Sequence, residues 1–263
     1  MSDAEPILFQ KDGGVARIRF NRPQVLNALD ERMILAFADA VARVADDGTV
    51  RVVVLSGEGR GFLAGGDVGR FHAAGADAPS VVDSIIGPFH SAMTQLTTLR
   101  APVVAALHGP VAGAGLSVAL AADLAIAAED AKFTLAYSRI GTSPDGGASW
   151  SLPRVVGLRR AMEMALLSDV IDATEALRLG LVNKVVPQDR LASEVEALVA
   201  RLAEGPTHAY GKIKALLRGS LQHSLPEQLE AERQSFLSCA GTADFAEGAA
   251  AFVQKRPARF EGI

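Results

Sequence analysis

The chain has 263 residues, of which 49% are hydrophobic and 21% charged, and this length and composition suit one large folded domain. Its formal net charge is −4, from 26 basic and 30 acidic residues, so we expect no concentrated basic surface for nucleic acid. The single cysteine, Cys239, excludes an intrachain disulfide and a Cys-x-x-Cys metal site. The histidines show no metal-ligand spacing, and we expect no metal.

Apolar patterns in the first 130 positions alternate between strands and helices. Residues 15–20 alternate apolar and basic side chains, which predicts a half-exposed strand. Residues 29–45 have helical spacing, with Asp30 as a candidate N-cap. We predict a further helix at 81–99 and another after the glycine-rich segment at 109–115. Buried strands are predicted at 50–57, 102–109 and 124–130. This order predicts an α/β fold with parallel strands.

The last third of the chain is predicted to be helical, and beyond about position 150 only residues 182–187 have the pattern of a strand. The most apolar stretch, residues 111–128, is interrupted by Asp123, so it predicts a buried helix and strand and no membrane span. The N terminus carries Asp3 and Glu5 without a basic-then-apolar sequence. We therefore expect no secretory signal and a cytoplasmic protein.

Two glycine-rich turns, "FLAGGDV" at 62–68 and "GPVAGAG" at 109–115, each lead from a buried strand to a helix. Each can present an unpaired backbone N–H, and two such groups converging on one oxygen would form an oxyanion hole. The glycines could instead only permit close packing, and the local sequence leaves both interpretations open. A phosphate loop would need a lysine that is missing, and "GRGFLA" at 59–64 is a weak dinucleotide motif because it lies within a loop.

Four segments resemble the enoyl-CoA hydratase/isomerase (crotonase) superfamily: "NRPQVLNAL" at 21–29, "GFLAGGDVGRF" at 61–71, "APVVAALHGPVAGAGLSVALAADLAIAAEDAKF" at 101–133 and "LGLVNKVVP" at 179–187. The resemblance implies an α/β fold of the crotonase type, a spiral of ββα turns with a C-terminal helical region. It implies a core with the CoA and catalytic site over residues 1–200 and a helical trimerisation region over 201–263. A homotrimer or dimer of trimers, an acyl-CoA substrate and no cofactor are also implied, because coenzyme A is part of the substrate.

The resemblance places the thioester enolate oxygen between the backbone N–H groups of Gly66 and Ala114. The two glutamates of the family's hydratases correspond to Ser117 and Tyr137, and neither is a carboxylate base at neutral pH, which counts against water addition. The next candidate acid/base is Asp145 in "GTSPDGGASW", where the local sequence favours an Asx-turn or a helix cap. An aspartate at this place nevertheless resembles the catalytic residue of phenylacetate-pathway ring isomerases and related enoyl-CoA isomerases.

An aspartate at this place also resembles the nucleophile of 4-chlorobenzoyl-CoA dehalogenase, which has a histidine corresponding to His90 but a tryptophan where this chain has Tyr137. His90 is therefore a possible catalytic residue, although a hydrogen-bonded histidine on a helix surface is the other interpretation. A C-terminal basic pair resembles the residues that meet CoA phosphates, and a solvated helix end would explain it equally well. The resemblance assigns substrate binding to Val25, Leu26, Ala28, Ala64, Gly65, Asp67, Val68, Gly113, Ser117, Tyr137, Ile140, Lys255 and Arg256.

The sequence thus predicts an enoyl-CoA isomerase of fatty or aromatic acid catabolism, which moves a double bond from β,γ to α,β with Asp145 as the proton shuttle. One alternative is an enoyl-CoA hydratase or a dehalogenase-like hydrolase that uses the same two turns. Another is a catalytically weak acyl-CoA-binding protein, because both hydratase glutamates are absent.

Overall fold

The computed structural model describes residues 5–262, so Asp3, which entered the expectation about the N terminus, lies outside the described residues. Strands and helices alternate through the first half, and helices dominate after position 187. Across residues 5–262, no helix combines the length and the apolar character that crossing a membrane requires.

The strands form two sheets, one of six strands in the order β1-β2-β3-β4-β6-β9 and one of three in the order β5-β7-β8. The strands are β1 (Ile7–Asp12), β2 (Val15–Phe20), β3 (Val52–Gly57), β4 (Val103–Leu107), β5 (Pro110–Ala112), β6 (Leu124–Ala128), β7 (Lys132–Thr134), β8 (Ile171–Asp172) and β9 (Lys184–Val186). β1 and β2 pair as an antiparallel hairpin, and every later pairing in the large sheet is parallel. In the small sheet, β7 is parallel to β5 and antiparallel to β8.

The helices follow the strands in chain order, and short 3-10 turns at Pro23–Val25, Gly75–Asp77, Tyr137–Ile140, Gln188–Arg190 and Ser220–Gln222 connect several of them. The helices are α1 (Glu31–Asp46), α2 (Val68–Ala74), α3 (Ala78–Thr98), α4 (Ala114–Ala121), α5 (Ala148–Val156), α6 (Leu158–Leu167), α7 (Ala173–Arg178), α8 (Leu191–Ala203), α9 (Thr207–Gly219), α10 (Leu225–Ala240) and α11 (Ala243–Gln254).

From β4 to β7, successive strands belong alternately to the large and the small sheet, so the chain winds as a spiral. β4 joins the large sheet, β5 joins the small one, and α4 follows; β6 and β7 then repeat the same two placements. A parallel bridge between Leu63 and Val111 extends the small sheet to the segment after β3. The first glycine turn therefore follows β3 in the same way that the second glycine turn follows β4, one repeat of the spiral later. The predicted α/β spiral of ββα turns with a C-terminal helical region is confirmed.

The centre of the large sheet, at β3 and β4, is buried on both faces, as the continuous β-branched run of β3 predicts. Val53 and Leu55 face a core shared with α1 and α3, whereas Val52 and Val54 face the second core, which α8 covers. In the first core Phe20 packs against Phe37, with ring centroids 5.5 Å apart. This core fixes the position of α3, which forms one side of the cavity described below.

Most predicted elements are present, and several boundaries differ. Asp30 caps α1 as predicted, because its side chain accepts a hydrogen bond of 2.9 Å from the Met33 N–H. The helix predicted at 81–99 begins earlier, at Ala78, and α2 at Val68–Ala74 was not predicted. The expectation of one strand after residue 150 was also wrong, because β8 pairs with β7 over two residues, too few to show periodicity.

A partly buried ion cluster connects α9 to the spiral. Asp123, between α4 and β6, accepts a hydrogen bond of 2.8 Å from the Val103 N–H at the start of β4. Its other contacts are Lys214 Nζ at 2.6 Å and Arg218 Nη2 at 2.9 Å, both from α9. Burial lowers the pKa of Lys214, and the Asp123 carboxylate opposes that shift. The Asp123 carboxylate therefore connects the start of β4 and the segment before β6 to helix α9.

Candidate active site

A cavity of about 620 Å³ lies where the two glycine turns meet α2 and α3. Its apolar lining comes largely from these helices and from α1. The apolar residues include Leu29, Ile34, Val68, Phe71, Val82, Ile85, Ile86, Phe89 and Ile140, and the turns contribute Ala64, Gly65, Gly66, Gly113 and Ala114. Tyr137, Arg139 and Asp145 add polar groups to this lining. A mostly apolar cavity with a few polar groups is typical of a small-molecule site.

In the first glycine turn, the Gly66 N–H has no hydrogen-bond partner among residues 5–262. A parallel bridge joins Leu29 to Gly66, in which the Leu29 N–H donates to Gly65 O at 2.7 Å and Leu29 O accepts from the Asp67 N–H at 2.9 Å. This pairing turns the Gly66 N–H away from Leu29, and no acceptor for it exists among residues 5–262. Gly65 has φ +102°, which only glycine adopts readily.

The second turn presents the Ala114 N–H at the start of α4. Gly113, with φ +52°, is the N-cap, and its carbonyl accepts from the Leu116 and Ser117 N–H groups at 2.9 and 3.1 Å. The Ala114 N–H precedes the first intrahelical donors, and it has no acceptor in the part of the chain that the structure describes. The helix dipole adds positive potential at this end.

The two turns are in direct contact. A Cβ atom built on Gly65 would lie 3.6 Å from Ala114 N, and one built on Gly113 would lie 3.5 Å from Gly65 Cα. Two main-chain N–H groups that have no acceptor within the described residues thus border one cavity, an arrangement that can hold a single oxyanion. Other glycines of these segments are required for close packing, as the second interpretation from the sequence holds. A Cβ on Gly109 would lie 2.0 Å from Arg60 O, and one on Gly115 would lie 2.0 Å from Leu63 O.

Asp145 is neither a helix cap nor an Asx-turn. The N-cap of α5 is Gly147, which has no side-chain capping bond, and Asp145 instead accepts the Tyr137 hydroxyl at its Oδ1. The Asp145 main-chain oxygen accepts from the Ala148 N–H at 3.1 Å and from Ser117 Oγ at 2.9 Å. The side chain is therefore available to the cavity, which it lines.

Ser117 and Tyr137 meet beside Asp145. Ser117 lies one helical turn after Ala114 on α4, is 1% exposed, and its Oγ is 3.1 Å from the Tyr137 hydroxyl. Burial raises the pKa of the Tyr137 phenol above its ordinary range, and the negative charge of Asp145 raises it further. Tyr137 therefore stays protonated and acts as a hydrogen-bond donor.

His90 reaches the same loop from outside the cavity. It is exposed on α3, and its Nε2 accepts a hydrogen bond of 3.2 Å from the Gly146 N–H. Gly146 has φ +57°, and a Cβ there would lie 2.6 Å from the Phe89 ring. Within the described chain, His90 does not line the cavity. Its contact with Gly146 agrees with the second interpretation from the sequence, a hydrogen-bonded histidine on a helix surface.

Arg22 and Leu26, which precede the first glycine turn in the chain, contact it. Asp67 caps α2 by accepting from the Arg70 N–H at 3.4 Å and lies 3.3 Å from the Arg22 guanidinium. Leu26 O accepts from the Ala64 N–H at 3.0 Å. Within the described chain, the predicted binding residues that the cavity lining does not include are Val25, Leu26, Ala28, Asp67, Ser117, Lys255 and Arg256.

The C-terminal basic pair lies elsewhere on this chain. Lys255 ends α11 with φ +54°, and the Arg256 guanidinium binds both carboxylate oxygens of Glu247 at 2.6 and 2.8 Å. Sequence reasoning missed Arg139, which lines the cavity and donates to Ser168 O. It also missed the cavity wall that α3 forms with Val82, Ile85, Ile86 and Phe89. In residues 5–262, no group of three metal-ligating side chains converges.

Comparison with known proteins identifies the class to which this fold and cavity belong. The family model described as enoyl-CoA hydratase/isomerase matches residues 10–263. A crystal structure of an enoyl-CoA hydratase from Polaromonas sp. JS666 superposes with a TM-score of 0.91 at 35% identity, covering 97% of this chain and 99% of that one. The chain belongs to the enoyl-CoA hydratase/isomerase (crotonase) family of acyl-CoA enzymes.

Two curated relatives carry different activities in their names. The chain is 40% identical to a probable enoyl-CoA hydratase of Rhodobacter capsulatus, over 97% of this chain and 98% of the relative. It is 37% identical to the 1,2-epoxyphenylacetyl-CoA isomerase of Escherichia coli K12, over 98% and 99%. Overall similarity therefore leaves the reaction open between hydration and isomerisation, and the residues in the cavity must distinguish them.

Proposed function

We propose that the protein is an enoyl-CoA isomerase that shifts a double bond from the β,γ to the α,β position. Asp145 takes a proton from the α-carbon, and the electron pair of that C–H bond moves into the thioester to form a dienolate. The N–H groups of Gly66 and Ala114 donate to the dienolate oxygen. Asp145 then returns the proton to the γ-carbon, and the thioester carbonyl re-forms beside the new double bond.

One observation carries this proposal. Among the described residues that line the cavity, Asp145 is the single acidic side chain, and Gly66 and Ala114 line the same cavity. A β,γ-enoyl thioester needs only one base once its dienolate is held, because that base can serve both carbons in turn. The reaction moves only protons and electron pairs within the substrate, so we propose that it needs no cofactor and no metal.

Hydration is disfavoured by the same residues. In the family's hydratases two glutamates act on water and substrate, and the corresponding Ser117 and Tyr137 hydroxyls are bonded to each other or to Asp145. A neutral phenol and a neutral hydroxyl are far weaker bases than a carboxylate at pH 7. We therefore expect crotonyl-CoA to be hydrated far below the usual enzyme rate of about 10 per second.

The proposal is tested with a β,γ-enoyl-CoA, whose conversion is followed by the absorbance of the conjugated thioester product. Wild-type protein should turn it over, and Asp145→Asn should lose about 100- to 10,000-fold in rate while melting within a few degrees of the parent. Full activity in Asp145→Asn would contradict the proposal. Turnover of crotonyl-CoA near the usual enzyme rate would instead establish a hydratase.

A dehalogenase-like hydrolase is the second candidate, favoured by the approach of His90 to the loop that carries Asp145. In that reaction the carboxylate would attack the chlorine-bearing ring carbon and displace chloride, and a histidine would activate the water that hydrolyses the resulting aryl ester and restores the carboxylate. Loss of activity on 4-chlorobenzoyl-CoA in His90→Gln, together with inactivity on β,γ-enoyl-CoA, would establish it. Binding of acyl-CoA esters without any turnover would mark the protein as a catalytically weak binding protein.

We propose further that residues 201–263 mediate assembly into a homotrimer or a dimer of trimers. Large apolar side chains are exposed along these helices, including Leu217, Leu225, Phe236 and Phe252, at 70%, 71%, 66% and 87% exposure. Exposed apolar surface of this extent is typical of a protein interface. In such an assembly, Lys255 and Arg256 would contact the CoA phosphates bound by a neighbouring subunit.

A further inference from the structure

We propose that Tyr137 is the positioning residue of the acid/base: its hydroxyl binds one oxygen of the Asp145 carboxylate and leaves the other free to move the proton. This inference rests on the proposed isomerase function. Tyr137 begins the 3-10 turn after β7, and its hydroxyl donates to Asp145 Oδ1. Within residues 5–262 no second side-chain donor reaches that carboxylate, so this bond alone sets its rotation.

Ser117 fixes the main chain of the same residue. Its Oγ donates to the Asp145 carbonyl oxygen at 2.9 Å and lies 3.1 Å from the Tyr137 hydroxyl. Ser117 and Ala114 are three residues apart on α4, about 4.5 Å of helical rise. One helix therefore carries both the proposed oxyanion donor and the group that anchors the acid/base, which sets the distance between them.

A third contact holds the loop from the opposite side. The Gly146 N–H, directly after Asp145, donates to His90 Nε2 at 3.2 Å. A Cβ on Gly146 would lie 3.0 Å from Ser117 Cβ and 2.6 Å from the Phe89 ring, so the loop has no room to move toward either helix. With main chain and neighbours fixed, the remaining freedom of Asp145 is its side-chain rotation, and Tyr137 restricts that.

The chemistry requires such a restriction. One carboxylate oxygen must first face the α-carbon and then the γ-carbon, on the same face of the dienolate, and small errors in this geometry lower rates steeply. A donor to this carboxylate must also keep its proton. The phenol does so because burial and the adjacent negative charge disfavour its ionisation.

The test compares four proteins on the same β,γ-enoyl-CoA: Tyr137→Phe, Asp145→Asn, the double variant, and Tyr210→Phe as a control at the other tyrosine of the chain. Tyr137→Phe should lower kcat by about 10- to 100-fold with KM within about twofold of wild type, because orientation is lost and binding is not. The double variant should be no slower than Asp145→Asn, because Tyr137 acts only through that carboxylate. Tyr210→Phe should match wild type.

Three outcomes would overturn the inference: unchanged kcat in Tyr137→Phe, a change confined to KM, or a further loss in the double variant. If Asp145→Asn itself keeps wild-type activity, the proposed function fails together with the inference, and this result is distinct from the other three. Melting curves verify that the variants fold. Should Tyr137→Phe fail to fold, Ser117→Ala takes its place, with a smaller loss of kcat and the same absence of further loss on the Asp145→Asn background.

Discussion

Replacing Ala114 by proline removes one backbone N–H from the cavity, and we expect the fold to stay intact. Ala114 is the first residue of α4, a position where proline is well tolerated because the N–H has no partner within the helix. The preceding Gly113 has φ +52° and ψ −124°, outside the α region that a following proline disfavours. The same change at Gly66 is a poorer test, since a Cβ there would lie 3.2 Å from the Phe71 ring.

The expected effect is that of deleting one oxyanion donor, a loss of roughly 100- to 1,000-fold in kcat, or about 2.7–4 kcal/mol of transition-state stabilisation. The dienolate oxygen carries more negative charge than the substrate carbonyl, so the donor contributes more to the transition state than to binding. The pyrrolidine ring also replaces the amide hydrogen with carbon, and a moderate rise in KM is expected with the fall in kcat.

The assay is steady-state conversion of a β,γ-enoyl-CoA, with Ala243→Pro as the matched control. Ala243 is the first residue of α11, behind the Thr242 cap, and it does not line the cavity in the described chain. Both variants should melt close to wild type, and only Ala114→Pro should lose activity. Equal rates in the two folded variants would refute the assignment of this N–H to the oxyanion hole.

Three further outcomes follow from contacts described above. Asp123→Asn should lower the free energy of unfolding by about 3 kcal/mol in urea titrations, because Lys214 and Arg218 lose a largely buried counter-charge; a change below 0.5 kcal/mol would contradict this. Since the pKa of Tyr137 is raised on folding, the stability that it contributes is complete below pH 10 and declines above it. The difference in unfolding free energy between wild type and Tyr137→Phe should therefore fall by about 1.4 kcal/mol per pH unit above pH 10, and a difference that stays constant with pH would contradict this expectation. Light scattering should give a mass of three or six chains, and a monomer at micromolar concentration would refute the assembly.

The elements in which a hydrophobic pattern extends over many residues were predictable from the sequence. β3 is a continuous run of buried apolar residues, and α1 keeps helical spacing of its apolar residues over several turns. The capping bond of Asp30 depends only on its neighbours in the chain. α2 and β8 were missed because each is short, and β8 exists only through its pairing with β7. Tertiary contacts, which no local pattern encodes, decided those two elements.

The residues of the candidate site differ in the same way. The two glycine turns could be located because a glycine-rich segment before a helix is a local feature, whereas the assignment of Gly66 and Ala114 as oxyanion donors rests on the family resemblance and stays a prediction. For Asp145 the local statistics favoured a cap, and the structure differs because Tyr137, eight residues earlier, supplies its hydrogen-bond partner. Arg139 and the contact of His90 with Gly146 depend on how distant segments fold together, so the sequence could not place them.

The contact between the two glycine turns has a consequence for how the cavity can change. Both proposed oxyanion donors are main-chain atoms, and a Cβ on Gly109 or Gly115 would lie 2.0 Å from a facing carbonyl oxygen, so this part is held by backbone against backbone. The opposite wall, where we propose that the acyl group binds, is made of side chains such as Val82 and Ile86 on α3. Substitutions on that helix can remodel which acyl groups fit while the charge-stabilising groups keep their geometry, so substrate range and chemistry can evolve separately.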